Sequence, residues 1–303
     1  MRRSDPEPDG PSGSRPALRP GERPAQSAAP HGAPPPTGIR RLPPRIDRDR
    51  SARKPDWKRT MYPDHDKRLG FIDVGARGGV SPLAAQHSDR LIQVLVEPEA
   101  SEAERLHSLS DDGRRYRVIG SGLAHVDAEL HFQETVNPFC SSILKVNHDV
   151  LDQYENLVEH FAFRTSTPVS CSRYDTLYFR DNLPLPHILK IDVQGFEHQV
   201  LQGFGGLLQH TLGIVLETHL YPIYQDQKLF GDIIEYLYGY DLVLRRITND
   251  RNADLNGDHQ FQRDLVEIDA VFTKTRSWSA KQDQTVRDDL NFVCSLLGVV
   301  PNR

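Results

Sequence analysis

The sequence predicts an α/β fold, a mostly parallel sheet with helices on both faces. Strand-like and helix-like segments alternate between residues 70 and 119, and the alternation resumes between residues 187 and 297. The strand-like segments are also nearly all apolar, as in the run 91–96. Such runs are typical of strands that are buried on both faces, which is the situation in a parallel sheet covered by helices.

The first alternation contains three strands and two helices. The strands are short apolar runs, and the stretches between them are long enough for helices. Ala103 and Leu106 lie three positions apart and mark one face of the second helix. In chain order the predicted elements are the strand 70–75, the helix 80–88, the strand 91–96, the helix 99–109 and the strand 116–119.

The second alternation begins after Pro184 and Pro186. Phe196, Val200 and Phe204 recur at helical spacing, so a helix follows the first strand of this half. The predicted elements are the strand 187–192, the helix 196–204, the strand 213–217, the helix 229–237, the strands 241–246 and 265–274, and a closing helix 286–297. The less regular stretch 125–180 is expected to hold a hairpin and short helices inserted between the halves of the sheet.

The chain changes composition at about residue 60. Residues 1–60 hold 13 of the 22 prolines and carry 14 Lys and Arg against 7 Asp and Glu. With few large apolar side chains, this segment buries too little surface to offset its ordering entropy, so we expect a disordered Pro/Arg-rich tail. A basic arm that contacts an anionic partner is one alternative, and translation that starts at Met61, the second of two methionines, is another. Residues 61–303 are expected to form one enzyme-sized domain.

Charge and composition argue against several classes of protein. The formal net charge is -5, so we expect no nucleic-acid partner. No stretch approaches the roughly 18 apolar residues of a membrane helix, and the start MRRSDPEP lacks the apolar segment of a secretory signal. The widely spaced Cys140, Cys171 and Cys294 suit the reducing cytoplasm. None of the 13 histidines pairs at ligand spacing, so no metal is expected.

Carboxylates stand at the ends of four predicted strands. They are Asp73, Glu97, Asp192 and Glu217. Because ligands of open parallel sheets bind outside the carboxyl ends of the strands, we expect a ligand site there. Contact with solvent would explain one such acid, but four at matching positions favour a site.

The first two strand ends predict a nucleoside site. Glu97 lies 24 positions after Asp73, where an acid can accept hydrogen bonds from both hydroxyls of a ribose. Nicotinamide dinucleotides and S-adenosylmethionine both fit such a site. The loop matches D-x-G-x-x-x-G through Asp73, Gly75 and Gly79 rather than the dinucleotide fingerprint, whose third position is Arg77 here. An acid before the loop repels pyrophosphate and suits the ammonium and sulfonium groups of S-adenosylmethionine.

Five segments together carry a family resemblance. They are FIDVGARGG, VLVEPEASEAERL, NPFCSSIL, LKIDVQGFEHQVLQGF and IVLETHLYPIY. In this order, from about residue 70 to 272, the chain resembles the FkbM family of S-adenosylmethionine-dependent methyltransferases. It departs from the family pattern at two positions, since Arg77 stands where asparagine is usual and Gln194 stands where glutamate is usual.

The resemblance implies a Rossmann-like class I methyltransferase fold, with a seven-stranded sheet whose last strand is antiparallel. It implies S-adenosylmethionine as the cofactor. The methionine end of the cofactor would lie at Asp73, Gly75 and Gly79, and its ribose at Glu97. It also implies that the adenine lies near the residues after the third strand, Ser121, Gly122 and Leu123. The implied reaction is O-methylation of a hydroxyl group on a sugar or secondary metabolite, so the partner would be a small-molecule or glycan acceptor.

A hydroxyl acceptor must lose its proton, and three residues are candidates for accepting it. These are Asp192, Glu217 and His219. Histidine titrates near neutral pH, although a histidine at a strand end also commonly packs or caps. Ser141 and Ser142 could shape the acceptor pocket or form a plain turn. Tyr221 and Tyr224 could form a lid over the acceptor or fill the edge of the domain.

Two other functions stay open at this point. The departures at Arg77 and Gln194 are compatible with a binding protein that kept the fold and lost turnover. An NAD(P)-dependent oxidoreductase on a similar fold is the third hypothesis.

Overall fold

The computed structural model describes residues 68–110, 116–248 and 266–301. The predicted tail, residues 1–60, lies outside this part, so the tail and the domain boundary stay predictions. In chain order the elements are β1 (Leu69–Val74), α1 (Pro82–Ala85), β2 (Leu91–Val96), α2 (Ala100–Leu109), β3 (Tyr116–Ile119), β4 (Gly122–Leu123), β5 (Ala128–Thr135), a 3₁₀ helix (Pro138–Cys140), α3 (His148–Leu151), α4 (Glu155–Val158), β6 (Phe163–Ser172), α5 (Tyr174–Asp181), β7 (Pro186–Ile191), α6 (Glu197–Phe204), a second 3₁₀ helix (Gly205–His210), β8 (Gly213–His219), α7 (Phe230–Tyr238), β9 (Leu242–Thr248), β10 (Glu267–Lys274), α8 (Arg276–Ser279) and α9 (Gln284–Leu296).

The larger sheet confirms the predicted fold class. Its seven strands lie in the order β3-β2-β1-β7-β8-β10-β9. β1 is parallel to both β2 and β7, whereas β10 runs antiparallel to β8 and β9. The chain moves outward from β1 to β2 on one side and later returns to β7 on the other. The strand order therefore reverses between β1 and β7, which is where an open α/β sheet binds its ligand.

Both faces of the central strands are covered, which explains their continuous apolar runs. Side chains alternate along β1, because successive residues of a strand point to opposite faces. Ile72 belongs to the cluster that contains Val200 of α6, and Phe71 belongs to the cluster that contains Leu290 of α9. Each face of the sheet thus packs against a helix, as the sequence pattern predicts.

The helices that follow β1 and β2, α1 and α2, differ in length because their local sequences differ. The Glu99 side chain caps α2 by accepting hydrogen bonds from the backbone of Ser101 and Glu102, and α2 runs for ten residues. The predicted helix 80–88 is wrong in length, because α1 spans only four residues from Pro82. The following residues 87–90 are His, Ser, Asp and Arg, which offer no apolar side chain to bury against the sheet.

The closing helix is amphipathic. Asp283 accepts a hydrogen bond from the Val286 backbone and caps α9. The buried residues of α9 include Leu290 and Val293. None of the helices in the described ranges is both long enough and apolar enough to cross a membrane.

An insertion lies between β3 and β7 and forms a second sheet of three strands. β5 and β6 pair antiparallel, and β4 joins β6 in parallel, in the order β4-β6-β5. The short helices α3 and α4 lie in sequence between β5 and β6. This confirms the expected hairpin with short helices. We call the segment from β5 to residue 144 the insertion wall, because it borders the site described below.

Gly203 of α6 should be intolerant of a side chain. A Cβ there would lie 2.1 Å from the Ala124 carbonyl oxygen, and backbone cannot swing away as a side chain can. We expect Gly203→Ala to lower the free energy of unfolding by about 1–3 kcal/mol. Gly231→Ala is the control, because a Cβ on Gly231 of α7 meets nothing within 4 Å and should stabilise by up to about 1 kcal/mol. Denaturant unfolding measures both, and equal effects would contradict this account.

Candidate active site

A cavity of 360 Å³ lies at the carboxyl ends of β1, β2 and β7. It is placed at the point where the strand order reverses. One part is lined by residues that follow these strands, and the other by the insertion wall. Its lining residues are Val74, Gly75, Arg77, Val96, Glu97, Pro98, Gly122, Leu123, Phe132, Pro138, Phe139, Ser141, Ile143, Lys190, Asp192, Val193, Gln194 and Phe196.

Gly75 turns the backbone away from β1 at the cavity floor. Its φ is +78°, and a Cβ there would lie 1.9 Å from the Asp192 carbonyl oxygen. Only glycine combines this backbone conformation with such a close approach. The ends of β1 and β7 thereby come together, and the backbone of Gly75 is exposed to a ligand.

Glu97 presents a buried carboxylate on the wall at the end of β2. The residue is 3% exposed, and its Oε1 accepts a hydrogen bond from the Glu99 backbone at 3.0 Å. Burial raises the pKa of Glu97, while the Glu99 N–H and the Arg77 guanidinium oppose that rise. Arg77 lies 3.9 Å from the Glu97 Oε1 and 3.5 Å from a Glu99 oxygen. Arg77 therefore places a positive charge beside the predicted ribose acid.

Asp73 lies behind the cavity rather than on its wall. It is 1% exposed, and its Oδ1 is 3.1 Å from the Lys190 ammonium. Burial raises the pKa of Asp73 to about 6, and Lys190 opposes this rise. Burial disfavours the charge of Lys190 as well, but the carboxylates of Asp73 and Asp192 hold the pKa of Lys190 above its usual value.

Lys190 is a site residue that the sequence reasoning missed. Its ammonium group also donates a hydrogen bond to the Gly75 carbonyl at 3.3 Å, and the side chain lines the cavity. The register of β1 and β7 pairs Asp73 directly with Lys190. A charged residue inside an otherwise apolar strand was the available signal.

The predicted cofactor residues divide into two groups. Gly75, Glu97, Gly122 and Leu123 line the cavity, and the structure brings them together from three separate loops and strands. Asp73, Gly79 and Ser121 are not among the lining residues.

Of the three predicted proton acceptors, only Asp192 lines the cavity. Its Oδ1 accepts a hydrogen bond from the Gln194 side chain at 3.1 Å, and its Oδ2 lies 3.9 Å from Lys190. Glu217 lies two residues before the end of the neighbouring strand, β8, and accepts a hydrogen bond from the same Gln194 side chain at 2.5 Å. Asp192 and Glu217 are thus joined through one amide group.

The lone pair of the His219 ring is engaged by Gln227 and is not offered to the cavity. The Gln227 Oε1 accepts a hydrogen bond from the Tyr224 backbone, so the Gln227 Nε2 must be the donor to the His219 Nδ1, 2.8 Å away. Burial lowers the pKa of His219 to about 4, which keeps the ring neutral. The remaining proton then lies on Nε2, which points to Glu267 at 3.9 Å. This arrangement favours a structural role for His219.

Glu217, His219 and Glu267 form a cluster that the sequence spacing hides. Their ligand-type atoms lie within 4.8 Å of one another, because β8 and β10 pair His219 directly with Glu267. A metal ligand must offer a lone pair, whereas the His219 Nε2 carries a proton in this hydrogen-bond network. The cluster therefore fits two carboxylates beside an N–H donor better than a metal centre.

The insertion wall closes the cavity on its outer side. Phe132, Pro138, Phe139 and Ile143 line it with apolar surface, and Phe139 is 62% exposed. Ser141 lines it as well, and its Oγ accepts a hydrogen bond from the Thr135 backbone. The NPFCSSIL motif therefore supplies four of these residues, although sequence reasoning singled out only its serines.

The predicted lid tyrosines have different surroundings. Tyr221 is 42% exposed and does not line the cavity, whereas Tyr224 is fully buried. The Tyr224 hydroxyl lies 3.0 Å from both the Gln194 Oε1 and the Cys140 carbonyl oxygen. Tyr224 therefore connects the loop after β8 to the insertion wall and to Gln194. Ser142 also contacts this point, since its hydroxyl donates to the Gln194 carbonyl at 2.7 Å.

Solved structures of methyltransferases resemble this chain at low sequence identity and low TM-score. Among curated protein sequences, none matches this chain. Similar solved structures include magnesium protoporphyrin IX methyltransferase from Synechocystis PCC 6803 with bound S-adenosylmethionine, at 9% identity and a TM-score of 0.36 over 70% of this chain and 73% of that one. A TehB-like S-adenosylmethionine-dependent methyltransferase from Corynebacterium glutamicum is 13% identical, with a TM-score of 0.32 over 69% and 82%. These scores are too low to bear on the substrate.

The family assignment comes from the sequence of the domain. The model of the methyltransferase FkbM domain matches residues 73–244, which is more than half of the chain. The matched region contains the cavity's strand ends and the whole insertion. This chain therefore belongs to the FkbM methyltransferase domain family, and its cofactor is S-adenosylmethionine.

Proposed function

We propose that this chain transfers the methyl group of S-adenosylmethionine to a hydroxyl group of a small-molecule or glycan acceptor. The observation that carries this proposal is a single cavity lined by both Glu97 and Asp192. One carboxylate suits the ribose of the cofactor, and the other lies where an acceptor hydroxyl can approach. The two follow parallel strands on either side of β1, so the sheet itself sets their separation.

The cavity fits the cofactor on the strength of its own residues. The backbone of Gly75 borders the cavity, and Glu97 offers a buried carboxylate for the ribose hydroxyls. Gly122 and Leu123 provide a surface for the adenine at the adjacent edge. When bound, the cofactor supplies a methyl group on a positively charged sulfur, which needs little further activation.

Asp192 is the residue to which we assign acceptor positioning and proton acceptance. Alignment of the reacting groups at roughly 3–3.5 Å supplies most of the catalysis in such a transfer. A positioned carboxylate that takes the hydroxyl proton adds on the order of 10²–10⁴-fold. Glu217 lies one hydrogen-bonded amide away and is the second candidate, whereas His219 has its lone pair engaged by Gln227.

The insertion wall suits an acceptor with an apolar face. Phe139 is exposed at the cavity and can pack against a ring, while Ser141 offers a hydroxyl beside it. A free hydroxyl group carried on a ring would place its polar edge at Asp192 and its apolar face against Phe139. Sugars and cyclic secondary metabolites have this character.

Arg77 supports a second candidate function, a nucleoside-binding protein without turnover. Its guanidinium lies 3.9 Å from Glu97 and competes with a ribose for that carboxylate. Such a protein would bind the cofactor or its product but transfer nothing. Transfer of label therefore separates the two candidates.

The test has two steps. Isothermal titration should show binding of S-adenosylmethionine and S-adenosylhomocysteine but not of NAD, which also tests the oxidoreductase hypothesis. Methyl-labelled cofactor should then label a component of a cell extract. We propose a cytoplasmic location because all three cysteines are free thiols, so a cytosolic extract is the appropriate acceptor source. Binding without any labelled product would favour the nucleoside-binding protein.

Replacement of Lys190 should weaken the binding of ligands that carry an amino-acid carboxylate, and not of ligands that lack it. Its ammonium lies on the cavity wall beside Gly75, where it can meet a carboxylate. We expect Lys190→Met to weaken S-adenosylhomocysteine by about tenfold or more, since a charged hydrogen bond contributes about 1.5–3 kcal/mol. Binding of 5′-methylthioadenosine, which lacks the amino-acid carboxylate, should not change.

Isothermal titration of both ligands makes the comparison, with Lys145→Met as an exposed control. If both ligands weaken equally, Lys190 acts through the Gly75 loop and not on a carboxylate.

A further inference from the structure

Gln194 occupies an unfavourable backbone position between β7 and α6. Its φ is +56° and that of the following Gly195 is +93°. Residues other than Gly, Asn and Asp rarely adopt this conformation. The turn is held from within the domain, because the buried Glu197 carboxyl accepts hydrogen bonds from the Gly195 backbone at 2.9 Å and from the Val193 backbone at 3.3 Å. Backbone preference therefore does not favour glutamine at position 194. The reason for a glutamine here lies in what its side chain contacts.

The Gln194 side chain connects two carboxylates to the rest of the site. Its Nε2 donates to the Asp192 Oδ1 at 3.1 Å and to the Glu217 Oε1 at 2.5 Å. Its Oε1 lies 3.0 Å from the hydroxyl of the buried Tyr224, whose single proton is shared between this oxygen and the Cys140 carbonyl. The main-chain oxygen accepts a hydrogen bond from Ser142 at 2.7 Å. One residue thus joins β7, β8, the insertion wall and the loop after β8.

The amide matters because of what it donates. Two carboxylates close together repel, and an N–H donor shared between them stabilises the charged form of each. A glutamate of the same shape at position 194 has no N–H to give when it is ionised. It could donate a hydrogen bond to Asp192 or to Glu217 only by keeping a proton, and that one proton could serve only one of them. Among three carboxylates in one place, at least one is then neutral near pH 7.

Other titratable groups face this cluster from every element packed on it. They are Lys190 of β7, Asp73 of β1, Glu197 of α6, His219 of β8, Glu267 of β10, Cys140 of the insertion wall and Tyr224. Burial raises the pKa of Cys140 to about 12 and that of Tyr224 well above its usual value, so both stay neutral. Burial also raises the pKa of Glu197 to about 7, so Glu197 titrates in the wild type as well as in the variants. Its contribution to the pH dependence cancels when each variant is compared with the wild type.

We propose that Gln194 is a positioning residue whose amide holds the Asp192 and Glu217 carboxylates side by side by donating a hydrogen bond to each. In consequence, the Asp192 carboxylate is held in place to accept a proton. This last consequence rests on the proposed function, whereas the pairing itself does not.

The test is Gln194→Glu in the full chain, with melting temperature measured from pH 5 to pH 8.5. In the folded variant the new carboxyl keeps a proton above its unfolded pKa of about 4.3. A group whose pKa is raised on folding contributes stability that is lost as pH rises through the folded value. We therefore expect the gap to the wild type to widen by about 3 °C or more between pH 5 and pH 8.

Gln225→Glu is the matched control, because Gln225 is exposed and its amide donates to the Val146 carbonyl at 3.3 Å. Its gap to the wild type should not change with pH. A gap for Gln194→Glu that is equal at pH 5 and pH 8 would show that Gln194 serves only packing, and it would overturn the proposal.

A second variant keeps the test decisive if Gln194→Glu folds at no pH. Gln194→Met removes both N–H donors without adding charge, and its gap should still widen with pH, by less than that of the glutamate variant. A pH-independent gap for Gln194→Met would overturn the proposal in that case. With an acceptor in hand, the acid limb of the kcat profile of Gln194→Glu should move to higher pH. If the wild type transfers no methyl group, the proposed function fails, while the folding measurements still decide the role of Gln194.

Discussion

Asp192→Asn should lower methyl transfer by about 10²-fold or more and leave the melting temperature within a few degrees. Asparagine keeps the shape of the side chain, and its oxygen can still accept the hydrogen bond from Gln194. What it loses is the charge that would orient an acceptor hydroxyl and take its proton. Single-turnover transfer of labelled methyl measures the first effect, and calorimetry measures the second.

Asp181→Asn provides the control for this experiment. Asp181 is paired with Arg180 on the surface and is not among the residues that line the cavity, and exposed pairs contribute little. Its loss should change neither transfer nor melting temperature. If Asp192→Asn transfers methyl at nearly the wild-type rate, proton acceptance moves to Glu217, the neighbour on the same amide.

Glu97→Ala should weaken S-adenosylmethionine and S-adenosylhomocysteine by at least about tenfold, with little change in the melting curve. A carboxylate that bridges two ribose hydroxyls makes hydrogen bonds worth about 1.5–3 kcal/mol each, and about 1.4 kcal/mol is tenfold in affinity. Arg77 retains Glu99 as a partner when Glu97 is removed, so the loop keeps one ion pair. Isothermal titration gives the affinities.

The pH dependence of cofactor affinity provides a second test of Glu97. Burial raises the pKa of Glu97, so the carboxylate begins to protonate at a higher pH than an ordinary glutamate does. Wild-type cofactor affinity should therefore weaken as pH falls towards that value, and Glu97→Ala should show no such loss. Glu104→Ala, an exposed position on α2, should behave as the wild type. Unchanged affinity in Glu97→Ala would exclude Glu97 as the ribose ligand.

Most of the strands could be predicted because the signals for them are local. β2 matches its predicted range, and β1, β7 and β8 differ from theirs only at their ends. The helix at α1 shows the limit of this reasoning. Its segment had the length of a helix, but residues 87–90 offered nothing apolar to bury, and tertiary packing rather than length decides whether a short helix extends.

The position of the site could be predicted for a related reason. In a parallel sheet, the end of each strand is known once the strand is known, so Glu97 and Asp192 could be placed at one edge without any coordinates. The apolar wall at Phe139 could not be placed, because it belongs to the insertion. Nothing in the local sequence says against which part of the sheet an inserted hairpin packs.

The sequence by itself determined the fold class, the family resemblance, the cofactor class and the strand-end carboxylates, since each follows from local periodicity or from a short motif. The tertiary structure alone decided which side chains meet. Asp73 faces Lys190 because the register of β1 and β7 pairs them across 117 positions of sequence. Gln194 joins Asp192 to Glu217 because two strand ends lie side by side. Side-chain contacts between strands depend on register and direction, and these are properties of the assembled sheet.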